Sequence, residues 1–174
     1  MKANTADCVA LSYEVKMIYV LLHHLTELPT TQPLPEWDAV YRNAILESHL
    51  IHSRVLIEFF CEGSDRSDDI VLSDFMESTW TPSGSELERL KSLVPEIHKR
   101  MAHLTLRRRT EFRWPSVAIT GDLMTLTSQF LDRVREESPG LDTGLSHAEQ
   151  ARDFFFADYG DEYLLSISKH PNEL

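Results

Sequence analysis

Cysteine is nearly absent: Cys8 and Cys61 are the only two in 174 residues. Neither belongs to a Cys-x-x-Cys pair, which leaves zinc-ribbon and thioredoxin-type chemistry without support. Both fall in helical patterns and read as small core residues. Such low usage fits a reducing compartment. Long apolar runs are missing too. The most apolar stretch, residues 9–28, is broken by Glu14, Lys16, His23, His24 and Glu27. A membrane-spanning helix needs about 20 predominantly apolar residues. No cationic segment leads into a small-residue cleavage site. The expectation is a cytoplasmic protein with no membrane partner. Internal repeats and low-complexity tracts are lacking, and no segment alternates with strand period beyond about five residues.

What is present is helical. The chain is 42% apolar, enough for a real core, and carries 17 basic against 28 acidic residues, a net charge of −11. That balance argues against non-specific coating of nucleic acid or anionic membrane. Apolar residues recur at three- and four-residue spacing over residues 6–28, which Asn4 or Thr5 can cap and Pro29, Pro33 and Pro35 end. A second helix is expected over 36–62. Its apolar residues lie on most faces, the pattern of a buried, central helix. Residues 62–84 form a long acidic connection in which Ile70, Val71, Leu72, Phe75 and Trp80 must pack, so an ordered loop with a helical turn is expected. A third helix starts near Ser83 or Ser85, each with glutamate three residues on in a capping-box pattern. Pro95 predicts a kink or two abutting helices there. A fourth helix follows Pro115 and runs to about Glu137. The expected architecture is an all-α antiparallel bundle of about four principal helices over residues 1–140. Residues 141–174 form a partly helical C-terminal extension, with a short helix over 147–159 and the Phe154–Phe156 run docked on the bundle.

Two stretches carry candidate chemistry. Arg42 and His49 lie seven residues apart, about two helical turns, on one face of the second helix. Asn43 follows Arg42, and His52 lies one turn beyond His49. This arrangement resembles the active motif of HEPN-domain ribonucleases, small helical bundles of bacterial defence and toxin–antitoxin systems. Cleaving RNA through its own 2′-hydroxyl needs no metal. It needs a group that exchanges protons near neutral pH, which histidine supplies. It also needs a fixed cation for the charge growing on the phosphate, which arginine supplies. The resemblance implies a homodimer in which two such motifs face each other. The structural alternative is that Arg42 pairs with Glu36, Asp38 or Glu47 while the histidines are hydrogen-bonded in the core.

In the second stretch, His103 matches the histidine end of the same family motif. The family's arginine belongs five to seven positions earlier, where Glu96, Ile97 and His98 stand, and Arg100 is only three positions away. Lys99, Arg100, Arg107, Arg108, Arg109 and Arg113 place six of the 17 basic residues within 15 positions. They either pair with the acidic 62–77 segment, or bind RNA, phosphate or an acidic protein partner. At least two of Arg100, Arg107, Arg108, Arg109 and Arg113 are expected within salt-bridge reach of carboxylates in the same chain. A metal site would have to gather His24, His49 or His52, and His103. Because no Glu-x-x-His or His-x-x-x-His pattern occurs among the eight histidines, no cofactor is expected.

Two functions follow as expectations. One is a HEPN-like metal-independent ribonuclease or a catalytically degenerate relative, with Arg42 or Arg100 holding phosphate and His49 or His103 moving the proton. The other is a non-enzymatic protein-interaction module that uses segregated acidic and basic patches.

Overall fold

The computed structural model of the chain describes residues 3–28, 35–61, 69–76, 78, 80–99 and 114–169. It is an all-α bundle with helices α1 (Thr5–Glu27), α2 (Glu36–Cys61), α3 (Ser85–Ile97), α4 (Ser116–Glu137) and α5 (Asp142–Lys169). Among the described residues there is no strand.

The N-terminus of α1 closes as a full capping box. Asn4 Oδ1 accepts from the amides of Ala6 and Asp7 at 2.7 and 3.3 Å, and Asp7 Oδ2 accepts from the Asn4 amide at 2.8 Å. Helix α3 starts at Ser85, as expected, but without the expected side-chain cap. Gly84 precedes it at φ 124 with no side-chain cap. Ser85 Oγ instead accepts from Arg89 Nη1 at 2.8 Å, and Gln129 holds the backbone amide and carbonyl of Ser83. Pro95 sits in the last turn of an otherwise continuous helix, where it removes one late amide donor without splitting the described part.

The central helix is α4, not α2. Twelve of the 22 residues of α4 are buried, and it touches each of the other four helices. Its pattern hides this, because Thr120, Gly121, Asp122 and Thr127 are among the buried residues. Helix α2 buries one side and leaves Trp37, Val40, Tyr41, Ile51 and Val55 exposed.

The helix expected over 147–159 is a 28-residue helix, Asp142–Lys169. It packs along α1 and α4. The approach to α1 is close because the facing residues are small. Cys8 and Ser12 on α1 meet Gly144 on α5, whose Ala148 and Ala151 are buried in the same core as Cys8, and the buried Ser12 hydroxyl donates to the Gly144 carbonyl at 2.8 Å. Successive helix residues turn by about 100°, so three phenylalanines in a row cannot all face the core. Phe155 is fully buried, whereas Phe154 and Phe156 are exposed.

The connection after α2 contributes an anchor to the core. A short 3-10 turn at Leu72–Asp74 delivers Phe75 into a ring cluster with Phe59 and Phe130, at edge-on centroid distances of 5.7 and 5.3 Å. Such pairs contribute about 0.5–1.5 kcal/mol beyond the area they bury. The Ser138 hydroxyl holds the Phe75 carbonyl at 3.0 Å, and Glu137 accepts from the amide and hydroxyl of Ser78.

The α1–α5 contact yields a stability prediction. A Cβ on Gly144 would lie 2.5 Å from Cys8 Cβ, a backbone-proximal atom that cannot swing away. Gly144→Ala is therefore expected to destabilise the fold by about 1–2 kcal/mol. Overpacking of about 1–3 kcal/mol outweighs the helix-propensity gain of up to about 1 kcal/mol. Gly140→Ala, with nothing within 4 Å of its added methyl, is the control and should change little. Urea unfolding midpoints of the two variants decide the matter.

Candidate functional site

Arg42 and His49 do share a face of α2, and that face turns inward. The side chain of Arg42 is half-buried and already engaged. His49 is fully buried, with Nε2 2.9 Å from the Thr120 hydroxyl of α4. Its Nδ1 has no partner among the described residues. Burial holds the imidazole neutral and, with a smaller push from His52, lowers its pKa to about 4. A neutral ring with no exposed surface is a hydrogen-bonded core histidine, the structural alternative its sequence setting left open. His52 is the more accessible of the two. Its Nδ1 lies 2.7 Å from Glu14 Oε2 of α1, and the ring of Tyr13 stands edge-on at 5.8 Å.

The candidates of the second stretch divide. Lys99 is exposed just beyond α3 and is itself in contact with a neighbour. Arg100, His103, Arg107, Arg108, Arg109 and Arg113 lie outside the described residues, as does the expected pairing of those arginines. His24 is exposed near the end of α1. Among the described residues no group of three or more histidine, cysteine, aspartate or glutamate side chains could hold a metal ion. Nor is any described helix long and apolar enough to cross a membrane.

One polar centre escaped the sequence reading. Asp122, fully buried in the middle of α4, accepts from Arg89 of α3 through both oxygens, Nε to Oδ2 at 3.0 Å and Nη2 to Oδ1 at 2.6 Å. Tyr163 of α5 donates to the same Oδ1 at 2.9 Å. Burial pushes the Asp122 carboxyl up from its ordinary range, while Arg89 and the Tyr163 hydroxyl pull it down. The Tyr163 phenol is held up at about 12, chiefly by burial. Gly121 makes room: a Cβ there would lie 2.1 Å from the Tyr163 ring. The visible signal was a Gly-Asp pair between the apolar residues Ile119 and Leu123 of α4. Its arginine and tyrosine partners are 33 and 41 residues away along the chain, too far for spacing to reveal.

The remaining feature is a surface. Trp37, Val40, Tyr41, Ile51 and Val55 follow one another along the outer face of α2, and Trp37 is 80% exposed. Val9 and Tyr13 of α1, both about half exposed, flank its C-terminal half beside His52. Scattered apolar residues are ordinary on a protein surface, whereas a contiguous band marks an interaction site.

No protein-family model, no curated protein and no solved structure matches this chain.

Two predictions follow from the buried groups. In unfolded chain, histidine titrates near 6.5, whereas His49 in the fold titrates near 4. Between these values the unfolded state binds the extra proton, so stability falls as pH drops through that window and is complete above it. The loss from this group between pH 6.5 and 4.5 should be about 2–3 kcal/mol. His49→Gln, which can keep the bond to Thr120, is expected to show a shallower acid loss in urea titrations than the parent protein. An unchanged slope would exclude the assignment. For the ion pair, Arg89→Met and Asp122→Leu should each cost about 3–5 kcal/mol by stranding the partner's charge. The double variant should lose clearly less than the sum of the two, the non-additivity that a double-mutant cycle reads.

Proposed function

We propose that this chain is a protein-interaction module whose recognition face is the outer stripe of α2, bordered by Val9 and Tyr13 of α1. One observation carries the reading: two clusters of exposed large apolar side chains, Trp37, Val40 and Tyr41, then Ile51 and Val55, lie along one face of a helix, led by an 80% exposed tryptophan, in a chain of net charge −11. Exposed tryptophan and tyrosine are the residues that most often dominate binding energy once a partner desolvates them. A highly charged body has no need of such a band for solubility. The core beneath is tied by buried polar bonds, which favours a rigid face that binds without rearrangement.

The ribonuclease reading keeps its second half alone. Arg100 and His103 would supply the cation and the proton donor, since His49 offers no nitrogen to solvent. Purified protein incubated with RNA, with and without chelator, is expected to leave the RNA intact. Cleavage abolished by His103→Ala but retained by His49→Gln would reinstate an HEPN-like enzyme working from the 99–113 segment.

The interaction reading is tested by contact in the living cell. A benzophenone amino acid placed at Ser48, in the middle of the stripe, should form covalent protein adducts on illumination in the native host. The same probe at Lys91, exposed on α3, should form few. Equal yields at the two positions would remove the reading.

A further inference from the structure

The stripe on α2 has an internal symmetry. Its central positions are Trp37, Tyr41, Ala44, Ser48, Ile51 and Val55, spaced 4-3-4-3-4. At about 100° per residue these positions, with Val40, fall within an arc of about 100°, the width of a single packing seam. The sizes mirror as well as the spacings. Two bulky residues, then a small one, face a small one and then two bulky ones. A helix with such a seam is complementary to itself when turned end for end about a two-fold axis between Ala44 and Ser48.

We propose that the occupant of this face is a second copy of the same chain, joined by antiparallel packing of α2 on α2. The inference rests on the interaction reading above and gives it a partner. In that register Ala44 lies against Ser48 of the second copy, and their small side chains let the two backbones approach closely. Tyr41 meets Ile51 and Trp37 meets Val55. The two-fold repeats each contact, as a closed dimer requires.

The charges at the ends of the seam fit this direction, while Glu47, itself engaged within its own chain, faces its counterpart near the axis. On one flank the same register brings Glu36 near Arg54 of the second copy, which is already paired with Glu58 of its own helix at 2.7 Å. On the other it brings Asp38 near His52, which is already bonded to Glu14 at 2.7 Å. Glu36 and Asp38 occupy the first turn of α2, and Arg54 and His52 lie toward its far end. A parallel pair would instead set Glu36 of each copy against Asp38 of the other, a like-charge arrangement that costs stability. Antiparallel packing also sets the two helix dipoles in opposition, which is favourable.

The available area agrees. Taking about 150–250 Å² for a full aromatic side chain, Trp37, Tyr41 and Tyr13, with the aliphatic side chains between them, offer roughly 600–800 Å² per copy. A standard interface takes about 800 Å² from each partner. The stripe of α2 alone, about 27 Å long, would fall short. Val9 and Tyr13 of α1 make up the difference, because the two-fold carries Trp37 and Tyr41 of the second copy toward them.

Sedimentation equilibrium of the whole chain, at an ionic strength that screens the repulsion between two bodies of net charge −11, should show a monomer–dimer equilibrium at micromolar concentration. Ile51→Glu and Tyr41→Glu each act twice across the axis and should weaken dimerisation by at least about 30-fold. Both positions are exposed, so circular dichroism of the variants should match the parent. The direction is read by disulfide trapping in a Cys61→Ser background. Ala44→Cys chains mixed with Ser48→Cys chains should form the mixed disulfide faster than either chain pairs with itself. A monomer throughout the concentration range overturns the proposal. So does a dimer indifferent to both glutamate substitutions, or like-with-like disulfides as the fastest product. A monomer whose Ser48 probe still captures a different protein in cells overturns the second copy alone and leaves the interaction reading standing.

Discussion

A carboxylate with no exposed surface governs the interior of this protein. Asp122 must find donors within the bundle, because stranding a buried charge costs several kcal/mol. It finds them on two other helices, Arg89 of α3 and Tyr163 of α5. The requirement is directional, unlike apolar packing. The guanidinium fork meets both oxygens in one orientation, which sets the rotation of α3 on α4. The phenol reaches the same oxygen only if α5 lies close, and Gly121 provides that space. His49 and Thr120 make a parallel tie between α2 and α4. Two polar bonds thus fix the register of helices whose apolar faces alone would tolerate several.

With the inner faces fixed by those bonds, the outer face of α2 is fixed as well. Helix α2 turns His49 inward, and the stripe on the opposite side is thereby presented to solvent. Interior chemistry and surface chemistry are linked through one helical wheel. A histidine suited to catalysis by type is instead sealed in the core and bonded to Thr120. Acid–base chemistry in RNA cleavage needs an imidazole that meets its substrate and titrates near neutral pH. The one at position 49 does neither, and its neutrality keeps the core beneath the stripe free of unpaired charge.

Much of the architecture was legible in the sequence. Three- and four-residue periodicity marked α1, α2 and α4 to within a residue or two, and the prolines at 29, 33, 35 and 115 marked the breaks. Phe75 was expected to pack and does. The errors have a common physical origin in counting apolar residues without regard to their partners. Helix α2 is apolar on two sides, which reads as buried, yet one side has no partner in the described chain. Helix α4 is central while carrying Thr120, Asp122 and Thr127, because each finds its hydrogen bond inside. Helix α5 was undersized because its apolar residues face α1 and α4 along different lines and leave no single stripe. Of the candidate site residues, the fate of Arg42 and His49 depended on what lay across from them. Spacing within one helix cannot supply that.

The pairing of α1 with α5 has a bearing on biosynthesis. The two helices are neighbours in space, yet about 110 residues separate the end of one from the start of the other. Translation at about 5–20 residues per second imposes a wait on the order of ten seconds before α5 can cover its side of α1. During that wait the surface of Cys8, Ser12 and Val15 has no permanent cover. Contacts of such long sequence separation form late and slow the final collapse. The face of α1 that meets α5 is therefore sealed late, well after α1 and α2 can pair.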